Sequence, residues 1–232
     1  MVAKITFVGN SDKMYWSNSV LFLCGVLDAL LFTKTPTLLK AVYRDCLWKV
    51  YTTEKQLYLT FDDGPIPEIT PLVLDELKKW NAKATFFCIG KNVEANPEIF
   101  RRIIDEGHSI GNHTYNHLNG WSTDDKSYFE NIERCKTVLP DHSLFRPPYG
   151  KLKPSQYTLL KAKCKLVMWD VLSFDFDLKV SKEKVLSNVL TNGAEGSIIV
   201  FHDSLKAKAK VEYALPEVLA HFTAKGFKFE KL

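Results

Sequence analysis

Residues 57–79 read LYLTFDDGPIPEITPLVLDELKK, and the order of signals in this stretch decides the fold class. Residues 57–61 are apolar and β-rich, the pattern of a strand. Asp62-Asp63-Gly64-Pro65 then interrupts it with turn residues. Thr70 followed by Pro71 forms an N-cap with proline at the first helical position, and a helix-period segment follows. Strand, turn, helix is the repeating unit of an α/β fold.

The unit recurs along the chain. Further strands are expected at 84–88, 108–110, 144–146, 166–169, 198–201 and 227–229. Asn96-Pro97 repeats the capping device, and Gly107 and Gly226 stand where helices beginning at Pro97 and near Val211 should stop. Residues 122–138 and 181–190 are further helix candidates. Such alternation means a parallel sheet with helical crossovers. Residues 57–232 are fewer than the ~250 of a typical eight-fold barrel, so the expected fold is α/β, a seven-stranded or incomplete (β/α) barrel of parallel strands. Catalytic groups in such folds sit at the C-terminal ends of the strands.

The chain divides into an N-terminal extension, 1–50, of uncertain role and a barrel domain, 51–232. Residues 20–32 are apolar but broken by Asp28, too short for a comfortable membrane span, and no small-residue cleavage pattern follows. The segment reads equally as a helix packed on the domain or an extension outside it, with membrane association not favoured. Location stays open between cytoplasm and cell envelope. Of 232 residues, 46% are hydrophobic and 25% charged, ordinary for a globular protein. A net charge of +4 without a basic stripe excludes a nucleic-acid partner. Lys206, Lys208 and Lys210, alternating with alanine, read as a solvated loop. Five scattered cysteines with no Cys-x-x-Cys pair make neither a disulfide framework nor a thiolate metal site.

Five polar clusters fall where strands should end. In the first, one of Asp62 and Asp63 can bind a metal while the other handles a proton; the bland alternative is an ordinary turn. In the second, His113 and His117 are four apart, on one face of a helical turn, with both imidazoles able to reach one cation. With Asp63 they make a ligand set that leaves positions open for water and substrate. In the third, Arg146-Pro147-Pro148-Tyr149, Arg146 can hold a carboxylate of the first cluster ionised by bidentate hydrogen bonding. Tyr149 supplies the first free backbone N–H after two stiffening prolines, fit for an oxyanion. The fourth and fifth are Trp169-Asp170-Val171-Leu172-Ser173-Phe174-Asp175-Phe176 and the run ending in His202-Asp203. His202 can donate a proton near neutral pH, the more so if Asp175 raises its pKa. Tyr115, Trp121, Trp169 and Phe176 are candidate walls for stacking on sugar faces, or plain packing.

In this order the clusters resemble the polysaccharide deacetylases of the NodB-homology type (carbohydrate esterase family 4), over residues 57 to about 229. The resemblance implies a distorted barrel of parallel strands, here seven-stranded, and one divalent metal, usually zinc, with cobalt or another transition metal possible. It implies Asp63, His113 and His117 as ligands and Asp62 as general base, oriented by Arg146. Tyr149 would donate its backbone N–H to the oxyanion, and Asp175 would tune His202, the general acid. The implied reaction is removal of the acetyl group from an N-acetylated sugar or polysaccharide, peptidoglycan- or chitin-like, releasing acetate. Phe176 stands where the family usually has tryptophan, and Val200 where it has leucine. A related hydrolase of small or cyclic amides, or a carbohydrate-binding protein with a degenerate site, are the alternatives.

Overall fold

Strand β1 (Gln56–Asp62) is buried from Leu57 to Asp62, so both of its faces are covered. Alternate residues go to different cores. Leu57, Leu59 and Phe61 join the large cluster under the outer helices. Tyr58 points the other way and packs with Phe87, Leu144, Val167 and Ile198. The computed structural model describes residues 32–141 and 143–232. The apolar stretch 20–31 lies outside them; among the described residues no helix is long and apolar enough to cross a membrane.

The remaining elements follow as α1 (Thr37–Val42), α2 (Thr70–Lys79), β2 (Ala84–Cys88), α3 (Gly90–Ala95), α4 (Pro97–Asp105), β3 (Ser109–Asn112), α5 (Asp125–Lys136), β4 (Leu144–Phe145), α6 (Pro154–Leu160), β5 (Lys165–Leu166), β6 (Val171–Leu172), α7 (Lys182–Asn192), β7 (Ile198–His202), α8 (Lys208–Ala224) and β8 (Lys228–Phe229). The strand order is β5-β4-β3-β2-β1-β7-β6, every named pairing is parallel, and β8 pairs with β1 outside this run. This is the expected distorted barrel of seven parallel strands. The residues read as one strand, 166–169, divide into the end of β5 and a loop before β6, because the backbone changes partners: Val167 N–H donates to Phe145 O, whereas Asp170 N–H donates to Ile198 O of β7.

Residues 33–50 bond to both outer strands of the run. The Leu47 N–H donates to Leu166 O at 2.8 Å and Leu47 O accepts from Met168 N–H at 2.9 Å. Thr33 O accepts from Leu172 N–H at 2.8 Å, and the Thr35 N–H donates to Asp170 O at 3.0 Å. Lys34 and Lys40 close on the buried Asp170 carboxylate, which also accepts from Ser197 Oγ at 2.7 Å.

Several local expectations differ in detail. Gly107 and Gly226 each take φ 80 just past α4 and α8, as helix stops do. Ser181 caps α7 by accepting from Lys184 N–H. Thr70 and Asn96 do not cap helices with their side chains: Thr70 Oγ accepts from Ile66 N–H at 2.7 Å, and Asn96 Nδ2 donates to Pro65 O at 3.1 Å. Both brace the loop after β1 instead. Lys208 and Lys210 lie in the first turn of α8, not in a loop; Lys208 faces Glu212 at 3.9 Å and Lys210 donates to the Asp177 carbonyl.

Candidate active site

Parallel pairing brings two chemical groups together at the top of the barrel. β1 and β7 run in register from Tyr58↔Ile198 to Asp62↔His202, so the last residues of both strands stand side by side. Beyond Asp62 the chain turns sharply: Asp63 has φ 89, a left-handed conformation uncommon for a residue with a side chain. Its carbonyl accepts from Asn92 Nδ2 at 2.7 Å. Adjacent aspartates thus face different partners.

Asp63 faces the two histidines. Its Oδ1 lies 3.8 Å from His113 Nε2 and 3.2 Å from His117 Nε2, and all three ligand atoms fall within 4.8 Å of one another. The segment carrying them is an irregular loop, not the expected helical turn. Thr114 (φ 61) and His117 (φ 59) are left-handed. Carboxamide side chains replace the helical ladder: Asn112 Oδ1 accepts from Thr114 N–H at 2.8 Å, and Asn131 Oδ1 accepts from Tyr115 and Asn116 N–H at 2.8 and 2.9 Å. The sequence spacing is right, but the backbone reason for it is different.

These residues suit a divalent cation. Burial, and then its neighbour His117, push the His113 pKa down to about 3, and burial lowers that of His117, so both rings are neutral with lone pairs to offer. Asp63 Oδ1 is buried and accepts no hydrogen bond from the described residues. A buried carboxylate oxygen without a donor calls for a positive partner.

Asp62 faces Arg146. The guanidinium is wholly enclosed in the barrel, 4.1 Å above the Phe87 ring. Nη1 donates to Asp62 Oδ1 at 2.6 Å and to Thr60 Oγ at 2.7 Å; Nε and Nη2 donate to Val167 O and Met168 O at 3.2 and 2.9 Å. The contact with Asp62 is through one nitrogen, not bidentate, because the others are spent on carbonyls at the end of β5.

Asp175 holds His202 with both oxygens, Oδ1 at 2.7 Å from Nδ1 and Oδ2 accepting the backbone N–H at 2.6 Å. Burial opposes a charge on His202, but the Asp175 carboxylate overcomes it, and with Asp63 and Asp62 carries the pKa up to about 9. Phe176 meets the His202 ring edge-on at 5.0 Å. Tyr149, 59% exposed with φ 61, lays its ring 4.7 Å from that of His117.

The other candidate walls are scattered. Trp169 packs at Gly150, beside Tyr149: a Cβ built there would lie 2.6 Å from its ring. Trp121 donates to Leu152 O at 3.1 Å beneath Lys151. Tyr115 is buried, with its hydroxyl on Glu94 and the Arg134 guanidinium 3.6 Å over its ring. No contact of Tyr115 or Trp121 joins them to the Asp62–His202 group. Supporting residues to which the sequence reading gives no role are Thr60, Asn92, Asn112 and Asn131. Thr60 lies within the first motif and Asn112 beside the second, a signal of sorts; Asn92 and Asn131 carry none.

The family described as polysaccharide deacetylase matches residues 49–166. A peptidoglycan-N-acetylglucosamine deacetylase of Bacillus cereus is 34% identical over 188 residues, covering 78% of this chain and 88% of the relative. A chitooligosaccharide deacetylase of Azorhizobium caulinodans is 30% identical, covering 79% of this chain and 96% of the relative. A crystal structure of a peptidoglycan N-acetylglucosamine deacetylase in complex with 4-naphthalen-1-yl-N-oxidanyl-benzamide superposes with a TM-score of 0.78 at 33% identity, covering 85% of this chain and 95% of that one.

Proposed function

Because the chain belongs to the polysaccharide deacetylase family, we propose that it hydrolyses the acetamide of an N-acetylated sugar in a peptidoglycan- or chitin-like polymer, releasing acetate. The observation that carries the reading is the orphaned Asp63 Oδ1 facing two neutral histidines, with a second carboxylate and a charged histidine beside it. Asp63, His113 and His117 would hold the cation, for which zinc fits the nitrogen and oxygen donor set. A divalent cation there supplies Lewis acidity, lowering the pKa of water toward 7 and polarising the acetyl carbonyl.

The chain's own residues do the rest. Asp62, oriented by Arg146, accepts a proton from the attacking water. The Tyr149 N–H, on a backbone stiffened by Pro147 and Pro148, donates to the oxygen on which charge develops. His202, held by Asp175, gives a proton to the departing nitrogen, so the C–N bond breaks to a free amine. A paired acid and base beside a cation site favours catalysis over binding alone.

The test is acetate release from peptidoglycan fragments, chitin oligomers and small ureides, with and without chelator. Release from a glycan substrate that stops on chelation and returns with Zn2+ is expected. Turnover of ureides alone would move the chain to small amides, and no turnover of any would make it a binder.

A further inference from the structure

We infer that Asp203 is a positioning residue for the cation site, acting through the backbone between Asp63 and Gly64. The inference rests on the metal reading above. Asp203 follows His202 at the end of β7 and is wholly buried. Its backbone N–H donates to Asp62 O at 3.0 Å. Its carboxylate reaches across the turn: Oδ1 accepts from Gly64 N–H at 2.9 Å, and Oδ2 accepts from Thr70 Oγ at 2.6 Å. A Cβ at position 64 would lie 1.8 Å from Asp203 Oδ2, so the carboxylate packs flat on the glycine and no other residue fits.

The consequence falls on Asp63. That residue sits at φ 89, a conformation that persists when its surroundings impose it. Asn92 pins its carbonyl from one side, and Asp203 pins the next N–H from the other. The 63–64 peptide is thus held at both ends, and the 62–63 peptide is held by Asp203 N–H on Asp62 O and by Asp63 N–H on Phe87 O at 3.3 Å, which aims the Asp63 side chain toward His113 and His117. Asp203 itself touches neither histidine ring. It works on the ligand from behind.

The experiment measures Co2+ affinity, the Co2+ absorption spectrum and thermal melting on full-length metal-free protein, for wild type, Asp203→Ala, Asp203→Asn and Thr70→Val. Asp203→Ala should weaken Co2+ binding by roughly ten- to a hundred-fold, the usual loss when the support of a ligand is removed, and shift the spectrum. Asp203→Asn keeps an oxygen for Gly64 N–H and should stay within about three-fold of wild type, below that range. Thr70→Val, which frees one carboxylate oxygen, should fall between. If Asp203→Ala does not fold, Thr70→Val decides. Folded variants with wild-type affinity and spectrum overturn the inference alone. A wild-type protein that binds no Co2+ overturns the metal reading and this inference together.

Discussion

His113 Nδ1 and the main-chain oxygen of Arg146 meet at 2.7 Å. A carbonyl can only accept, so the ring carries its proton on Nδ1 and turns a bare Nε2 to Asp63. The same arginine sends its side chain to Asp62, so one residue serves both halves of the site. Replacing it separates the two services. Arg146→Lys keeps the carbonyl but cannot reach Thr60, Asp62, Val167 and Met168 at once. Turnover should fall by at least roughly a hundred-fold and the melting temperature should drop, while metal content stays near wild type. Loss of metal in this variant would show that the carbonyl moves with the side chain.

The adjacent aspartates should fail differently. Asp62→Asn cannot take a proton, so turnover should fall by roughly a hundred- to ten-thousand-fold with metal retained. Asp63→Ala removes one of the three proposed ligands, so metal affinity should collapse and activity return in part at high metal concentration. Elemental analysis beside turnover decides it. Metal lost from Asp62→Asn and kept in Asp63→Ala would reverse the two roles.

With His202 as the proposed general acid, the alkaline limb of kcat should report its titration. A general acid works while protonated, and its raised pKa extends that form upward, so activity is present below about 9 and lost as pH rises through it. A cation bound at Asp63 offsets that carboxylate's share of the shift, which places the limb of the loaded enzyme lower. Asp175→Asn removes the chief raising partner and should move the limb further toward acid. A pH–rate profile with an unmoved limb would take the acid role away from His202.

Residues 33–50 should matter for stability and residues 1–32 little for catalysis. Without 33–50 the Asp170 carboxylate, 1% exposed, loses Lys34 and Lys40. The cost should be about 3 kcal/mol, the low end for a broken buried pair because Lys34 is partly solvated, or roughly 6–12 °C in melting temperature. A chain starting at Thr33 should melt and turn over like the full chain; one starting at Tyr51 should melt early or fail to stay soluble. Equal melting of all three would show the Asp170 contacts to be idle.

Legibility in the sequence followed the length of the signal. β1, β2 and β7 each have at least four buried residues in a row, and apolar patterning finds such runs. β6 has two residues, and pattern alone cannot separate it from the loop around Trp169-Asp170. Site residues within one motif, such as His113 and His117, stand at a spacing that can be read. Their loop could not be, since Asn131 supports it from fifteen or more residues away. Asp203 and Asp170 were visible as letters, but their partners Gly64, Thr70, Lys34 and Lys40 lie more than a hundred residues off and no local rule joins them.

Among the described residues β1 is the first strand, and yet it has neighbours on both sides. On one side β2 follows within a few tens of residues, but on the other β7 begins only at Ile198. During synthesis, then, the strand that ends in Asp62 waits with one edge bare until the chain has been made past Ile198. Closing so long a loop is slow compared with forming the local β1–β2 unit. An unfinished chain stopped before residue 198 would display an apolar, hydrogen-bond-hungry strand edge, the kind that other chains add to. The register that sets Asp62 beside His202 thus also makes the nascent barrel depend on β7, from Ile198 onward, to stay single.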